Sequence, residues 1–158
     1  MRTKGKTLYD DHNNVLGTIN KRDKEWVLET PSGDTPVRVK IQGNRITYPT
    51  YQLYAHDRLL TELKRSFRKF EGTHGITVEA PFLQQTRTIL QNGERLATYK
   101  PDWWTRRYAT IELADGLSND QRDLVYAMIV VLRSMYAAVL FTAGVIGGTV
   151  GAVGTAGS

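Results

Sequence analysis

The sequence predicts an α+β chain that is mostly β: a closed antiparallel barrel of about twelve strands wrapped around one hydrophobic C-terminal helix. Three observations carry this expectation. Short β-like runs bounded by turn residues follow one another from Thr7 to Leu113, about eleven or twelve in all. Behind them every residue from Leu124 to Leu132 is apolar or aromatic, so a helix there has no polar stripe and must be enclosed by protein or by lipid. A sheet of this many strands curls, closure removes its sticky edges, and so wide a barrel is not filled by its own side chains. The helix is the available filler.

Taken in order, Thr7 to Asp10, a polar HNN turn and VLGTI from Val15 read as strand, turn and strand. EWVLE (25–29), a turn at Pro31-Ser32-Gly33-Asp34 and the alternating VRVKI (37–41) follow. Gly43-Asn44 introduces RITYPTYQLYA, with Tyr48, Tyr51 and Tyr54. Farther on, GITVEAP (75–81) and TRTIL (86–90) read as strands, and QNGE turns the chain into RLATY. VLGTINK, LLTELKR and RLATYKP, starting at Val15, Leu59 and Arg95, each follow a polar turn and share a leucine-containing apolar start, a Thr and a basic end. This recurrence points to a meander of similar hairpins.

DRLLTELKRSFRKF (57–70) is ambiguous. Leu59, Leu60, Leu63, Phe67 and Phe70 have helical spacing, with Lys64, Arg65, Arg68 and Lys69 mostly on the other face. The hairpin recurrence favours a strand ending near Arg65. In WWTRRYATIEL (103–113) alternation puts Trp103, Ala109, Ile111 and Leu113 inside, with Arg107 as the misfit, and Trp104, Arg106 and Tyr108 outside.

The helix has a start signal, since Gly116 breaks the preceding run and Ser118 with Gln121 forms a capping box. The domain is expected over 1–136, with strands within about 7–113, the core helix over about 118–142 and a Gly-rich apolar tail over 143–158. Ser134 to Ser158 carries no charge and has the length and hydropathy of a membrane span, with close-packing glycines at 144/148 and 147/151; glycine density equally fits a flexible tail. Arg133 favours a barrel core upstream of that tail, because a lone arginine within a span is costly whereas one at a barrel mouth reaches water.

Composition narrows the function. With no cysteine, disulfide scaffolds, thiolate metal sites and cysteine nucleophiles are excluded. The N-terminal segment has basic residues but no apolar run after them, so a signal peptide is not expected and a cytoplasmic location is. No hydrolase, zinc-protease, Walker or dinucleotide pattern occurs, and no cofactor is implied. His12, His56 and His74 sit in polar, turn-like segments and read as surface residues; Asp10, Asp11, Asn13 and Asn14 read as a hairpin turn rather than a calcium loop.

The GExLATxK-type hairpins, the KR-rich segment before GITVE, and NDQRD leading into LVYAMIVVLRSMY resemble the tubby C-terminal-like superfamily, most of all its small LURP-one-related members, over about residues 5–136. The resemblance implies a twelve-stranded barrel around a central hydrophobic helix, no enzymatic activity, and association with phospholipid or membranes. No acidic run like the scramblase calcium segment adjoins the helix, and no lipid-binding residue of the tubby proteins is placed by motif.

The residues themselves supply a candidate set for anionic lipid. Lys64, Arg65, Arg68 and Lys69 with Phe67 and Phe70, and Arg106 and Arg107 beside Trp104 and Tyr108, combine positive charge with apolar anchors. A solvated β surface is the competing reading. A membrane-associating domain is thus expected first, a soluble protein-interaction domain with a disordered tail second, and a tail-anchored protein third; nucleic acid is disfavoured because no known module is present.

Overall fold

In a computed structural model that describes residues 1–43, 49–66, 69–80, 85–102 and 107–135, twelve antiparallel strands close into a barrel around an α-helix. The strands are β1 (Arg2–Lys4), β2 (Thr7–Tyr9), β3 (Val15–Arg22), β4 (Glu25–Glu29), β5 (Val37–Gln42), β6 (Thr50–Ala55), β7 (Arg58–Arg65), β8 (Lys69–Gly72), β9 (Ile76–Glu79), β10 (Arg87–Gln91), β11 (Glu94–Pro101) and β12 (Tyr108–Leu113). The helix, α1, spans residues 119–135. Each strand is paired with its neighbours in sequence, and β1 closes the ring on β12 from Arg2↔Thr110 to Lys4↔Tyr108.

In such a meander successive connections alternate between the two ends. The β2–β3, β4–β5, β6–β7, β8–β9 and β10–β11 turns share one end with the start of α1, here termed the capped end. The other connections share the exit end, where α1 finishes.

Alternation along the strands sends Leu8, Ile19, Val39, Leu53, Leu63, Ile89 and Ile111 inward, where they form one cluster with the helix. On α1, Leu124, Val125 and every residue from Ala127 to Leu132 are buried. The helix has no polar stripe because the barrel surrounds it. Protein, not lipid, encloses it.

The recurring hairpins share a structural device. Leu8 pairs with Gly17 but Tyr9 with Val15; Leu53 with Thr61 but Tyr54 with Leu59; Ile89 with Ala97 but Leu90 with Arg95. Each therefore contains a β-bulge whose additional residue is a leucine: Leu16, Leu60 or Leu96. The next residue is small each time. At Gly17 a Cβ would lie 2.8 Å from Leu28 Cδ1 and 2.9 Å from the Glu29 carbonyl, so no side chain fits without a shift.

The turns have the expected chemistry. His56 and Asp57 (φ 47° and 65°) and Asn92 and Gly93 (φ 51° and 82°) adopt the paired left-handed conformations of two-residue hairpins. The Asp10 carboxylate accepts the backbone N–H groups of His12 and Asn14, each at 2.8 Å, and the Asn14 amide at 2.9 Å, which makes it a turn former.

Two strands depart from the sequence reading. β1 precedes the first expected strand, and β8 begins within the ambiguous basic segment, which is strand from Arg58 through Arg65 as expected. β8 overturns one expectation: Phe70 is a core residue, 5% exposed and edge-on to Tyr51 at 5.7 Å between centroids, and so does not anchor a membrane. The expected extension of the helix beyond 135 and the Gly-rich tail lie outside the described residues, as do Phe67 and Trp103.

Candidate functional site

The meander sorts charge between the ends. At the capped end, turns, strand ends and the first turns of α1 bring together Asp10, Asp11, Asp34, Asp57, Glu94, Asp115, Asp120 and Asp123, against Arg2, Arg38, Arg58, Arg95 and Arg122, with Arg38 paired to Asp57 at 2.5 Å. The exit end reverses the balance: Lys4, Lys6, Lys24, Arg65, Lys69, Arg87, Arg107 and Arg133 stand against Asp23, Glu25, Glu79 and Asp102, while Arg22 reaches along β4 to pair with Glu29 at 2.7 Å. His12, His56 and His74 are all exposed and all at the capped end.

The helix is fastened differently at each end. At the capped end the capping box forms as expected: Gln121 N–H donates to Ser118 Oγ (3.2 Å) and Ser118 N–H to Gln121 Oε1 (3.0 Å). Arg58 pairs with Asp120 at 2.6 Å, His56 Nε2 lies 3.7 Å from Asp123 Oδ2, and Gln121 Nε2 donates to Gln91 Oε1 at 3.3 Å. At the exit end Arg133 Nη2 donates to the carbonyls of Gly5 and Arg107. The Gly5 N–H also donates to the Arg107 carbonyl, at 2.7 Å. A cation in the last turn of a helix also meets the negative end of its dipole.

The residues expected to meet anionic lipid divide as follows. Lys64 is exposed on β7, and Lys69 is half exposed at the start of β8, where neighbouring Glu71 binds its ammonium and raises its pKa. Arg65 is partly buried and meets the Tyr51 hydroxyl; burial pushes that phenol's pKa up and Arg65 opposes the shift. Arg107 is exposed where its carbonyl meets Gly5 and Arg133. Arg68, Trp104 and Arg106 lie outside the described residues. The described members of the two expected clusters thus share the exit end, yet β9, β10 and β11 separate Lys64, Arg65 and Lys69 from Arg107, so they belong to one rim and do not form a single patch.

Sequence reading missed Lys4, Lys6 and Lys24, exposed residues that continue the rim on the β1–β2 and β3–β4 sides. They are far apart in the chain. Charge counted over alternate connections of an assumed meander would have found them. Among the described residues no group of three or more His, Asp or Glu could hold a metal ion, and no helix is long and apolar enough to cross a membrane. The rim offers multivalent positive charge, which concentrates anionic partners at a surface.

Compared with protein-family models, with curated proteins and with solved structures, the chain matches none.

Proposed function

We propose that this chain is a non-enzymatic, tubby-like domain that associates with membranes containing anionic phospholipid, and that it does so through its exit end. One observation carries the reading: the basic residues gather at the end where α1 finishes and the uncharged sequence 134–158 follows. Each lysine or arginine near an anionic surface contributes about 1 kcal/mol, so several on one rim are enough for reversible binding. The barrel around a hydrophobic helix is the architecture that the tubby resemblance implies, which adds support. Co-sedimentation of the full chain with phosphatidylcholine vesicles, with and without phosphatidylserine, tests the proposal. It requires pelleting with the acidic vesicles that fades as salt rises, because screening shortens the reach of these charges. Equal failure to bind both vesicles sinks it.

A further inference from the structure

At the exit end the inner wall of the barrel is charged as well as the outer rim. Residues directly opposite one another on antiparallel neighbours face the same side of a sheet. Arg65 is opposite Phe70, Arg87 is opposite Tyr99, and Lys21 is opposite Trp26, whose other partner is Val39. Phe70, Tyr99 and Val39 belong to the core, so Arg65, Arg87 and Lys21 turn toward the lumen from β7, β10 and β3. Arg133 joins them from α1.

The hairpin recurrence builds part of this set. Lys21 and Arg65 each stand five residues after a bulge leucine, Leu16 and Leu60. The third hairpin has Pro101 in that place, and β10 supplies Arg87 instead. Among the described residues no carboxylate shares this part of the wall. Glu25, Glu71 and Glu79 take the alternate, outward positions, where Glu25 meets Arg38 and Lys40 and Glu71 meets Lys69, while Asp23 and Asp102 stand on connections. The segments outside the described residues contain no Asp or Glu.

Neutral groups hold these arginines. Arg65 meets the Tyr51 hydroxyl, Arg87 donates to the carbonyls of Gln85 and Thr86 at 3.4 and 3.5 Å, and Arg133 donates to those of Gly5 and Arg107. Such partners orient a guanidinium without cancelling its charge. Lys21 is exposed and forms no ion pair among the described residues. The end of α1 offers the equivalent of only about half a negative charge against these four cations. A mouth lined by one sign, with apolar walls behind it, focuses its field on whatever enters. Arg65 and Arg87 are three strand spacings apart, about 14 Å of wall, which two long side chains reaching inward can span. We infer that the inner mouth at the exit end binds one phosphomonoester group, gripped by Arg65 and Arg87, with Lys21 and Arg133 adding to the field. The guanidinium fork matches phosphate oxygens, and a monoester's charge of about −1.5 to −2 offsets more of the cations than a singly charged head group does. Only the source of the group, a lipid of the bound membrane, rests on the membrane reading.

The test uses the full chain with phosphatidylcholine vesicles carrying phosphatidic acid or, at matched surface charge, phosphatidylserine, and with free glycerol 3-phosphate in calorimetry. Binding to phosphatidic acid is expected to be at least about ten-fold tighter than to phosphatidylserine, the scale of one added charged hydrogen bond. Arg65→Gln and Arg87→Gln are each expected to remove most of that preference. The outward Lys64→Gln should weaken binding to both vesicles and leave the preference in place. Thermal melting shows which variants remain folded, and Lys21→Gln, at an exposed position, should reduce the preference where an arginine variant fails to fold. Equal binding to the two acidic vesicles, or a preference that survives both arginine substitutions, overturns the inference and leaves membrane association standing. Glycerol 3-phosphate binding that the arginine substitutions abolish, without binding to any vesicle, supports the site with a soluble ligand and overturns the membrane reading instead. No binding to any of the three overturns both.

Discussion

The two ends of this barrel are built from the same alternating strands and hold the same helix, yet they meet solvent in opposite ways. At the capped end several connections are tight turns, and side chains from two strands and one turn fasten the first turns of α1. At the exit end one arginine, Arg133, ties the helix to backbone carbonyls of the rim. The sign of the charge reverses with the end. A meander separates functions simply: alternate connections share an end, so residues dispersed through the sequence converge on one surface without any local motif.

Reversing charge should affect this contrast most. Lys6, Lys24, Lys64 and Lys69 changed together to Glu are expected to weaken binding to phosphatidylserine vesicles by at least about 4 kcal/mol, a thousand-fold or more, in co-sedimentation. The mirror change, Asp34, Glu94 and Asp115 to Lys, is expected not to weaken it. Next is the core that both ends share. Ile129 is fully buried, so Ile129→Ala is expected to lower unfolding free energy by about 2–5 kcal/mol in denaturant titrations, with fluorescent reporters at the two ends losing structure together.

Smaller effects should separate the ends. Arg133→Met removes charged hydrogen bonds at the exit end and is expected to cost about 1.5–3 kcal/mol; Ser118→Ala removes the cap and is expected to cost about 1 kcal/mol. In hydrogen exchange the first should loosen the last helical turn and the second the first turn. The smallest effect is one of pH. The Asn14 side chain and the backbone amides around Asp10 hold its carboxyl below the usual range, so its contribution is complete above the unfolded pKa and is lost as pH falls through the lower folded value. The difference in melting temperature between wild type and Asp10→Ala should therefore shrink from pH 6 towards pH 3.

Much of the barrel was legible because its determinants are local. Polar turns, two-residue alternation, the recurring leucine hairpins and the Ser118–Gln121 capping box each name their structure within a few residues. β1 and β8 were not legible for a physical reason. Arg-Thr-Lys has no apolar alternation and becomes a strand because β2 and β12 supply partners on both sides. Lys-Phe-Glu-Gly has one apolar residue, and the same Phe70 reads as a membrane anchor until the barrel places it against Tyr51. The site was half legible. Lys64 and Lys69 stood out because they are close in sequence, whereas Lys4, Lys6 and Lys24 join them only through the topology.

Orientation on the membrane can be read directly, because the chain contains no cysteine. Lys24→Cys at the exit end and Glu94→Cys at the capped end, each labelled with a polarity-sensitive fluorophore, would be mixed with phosphatidylserine vesicles. End-on association predicts a blue shift at position 24 and none at position 94. A shift at position 94, or equal shifts at both, would contradict it.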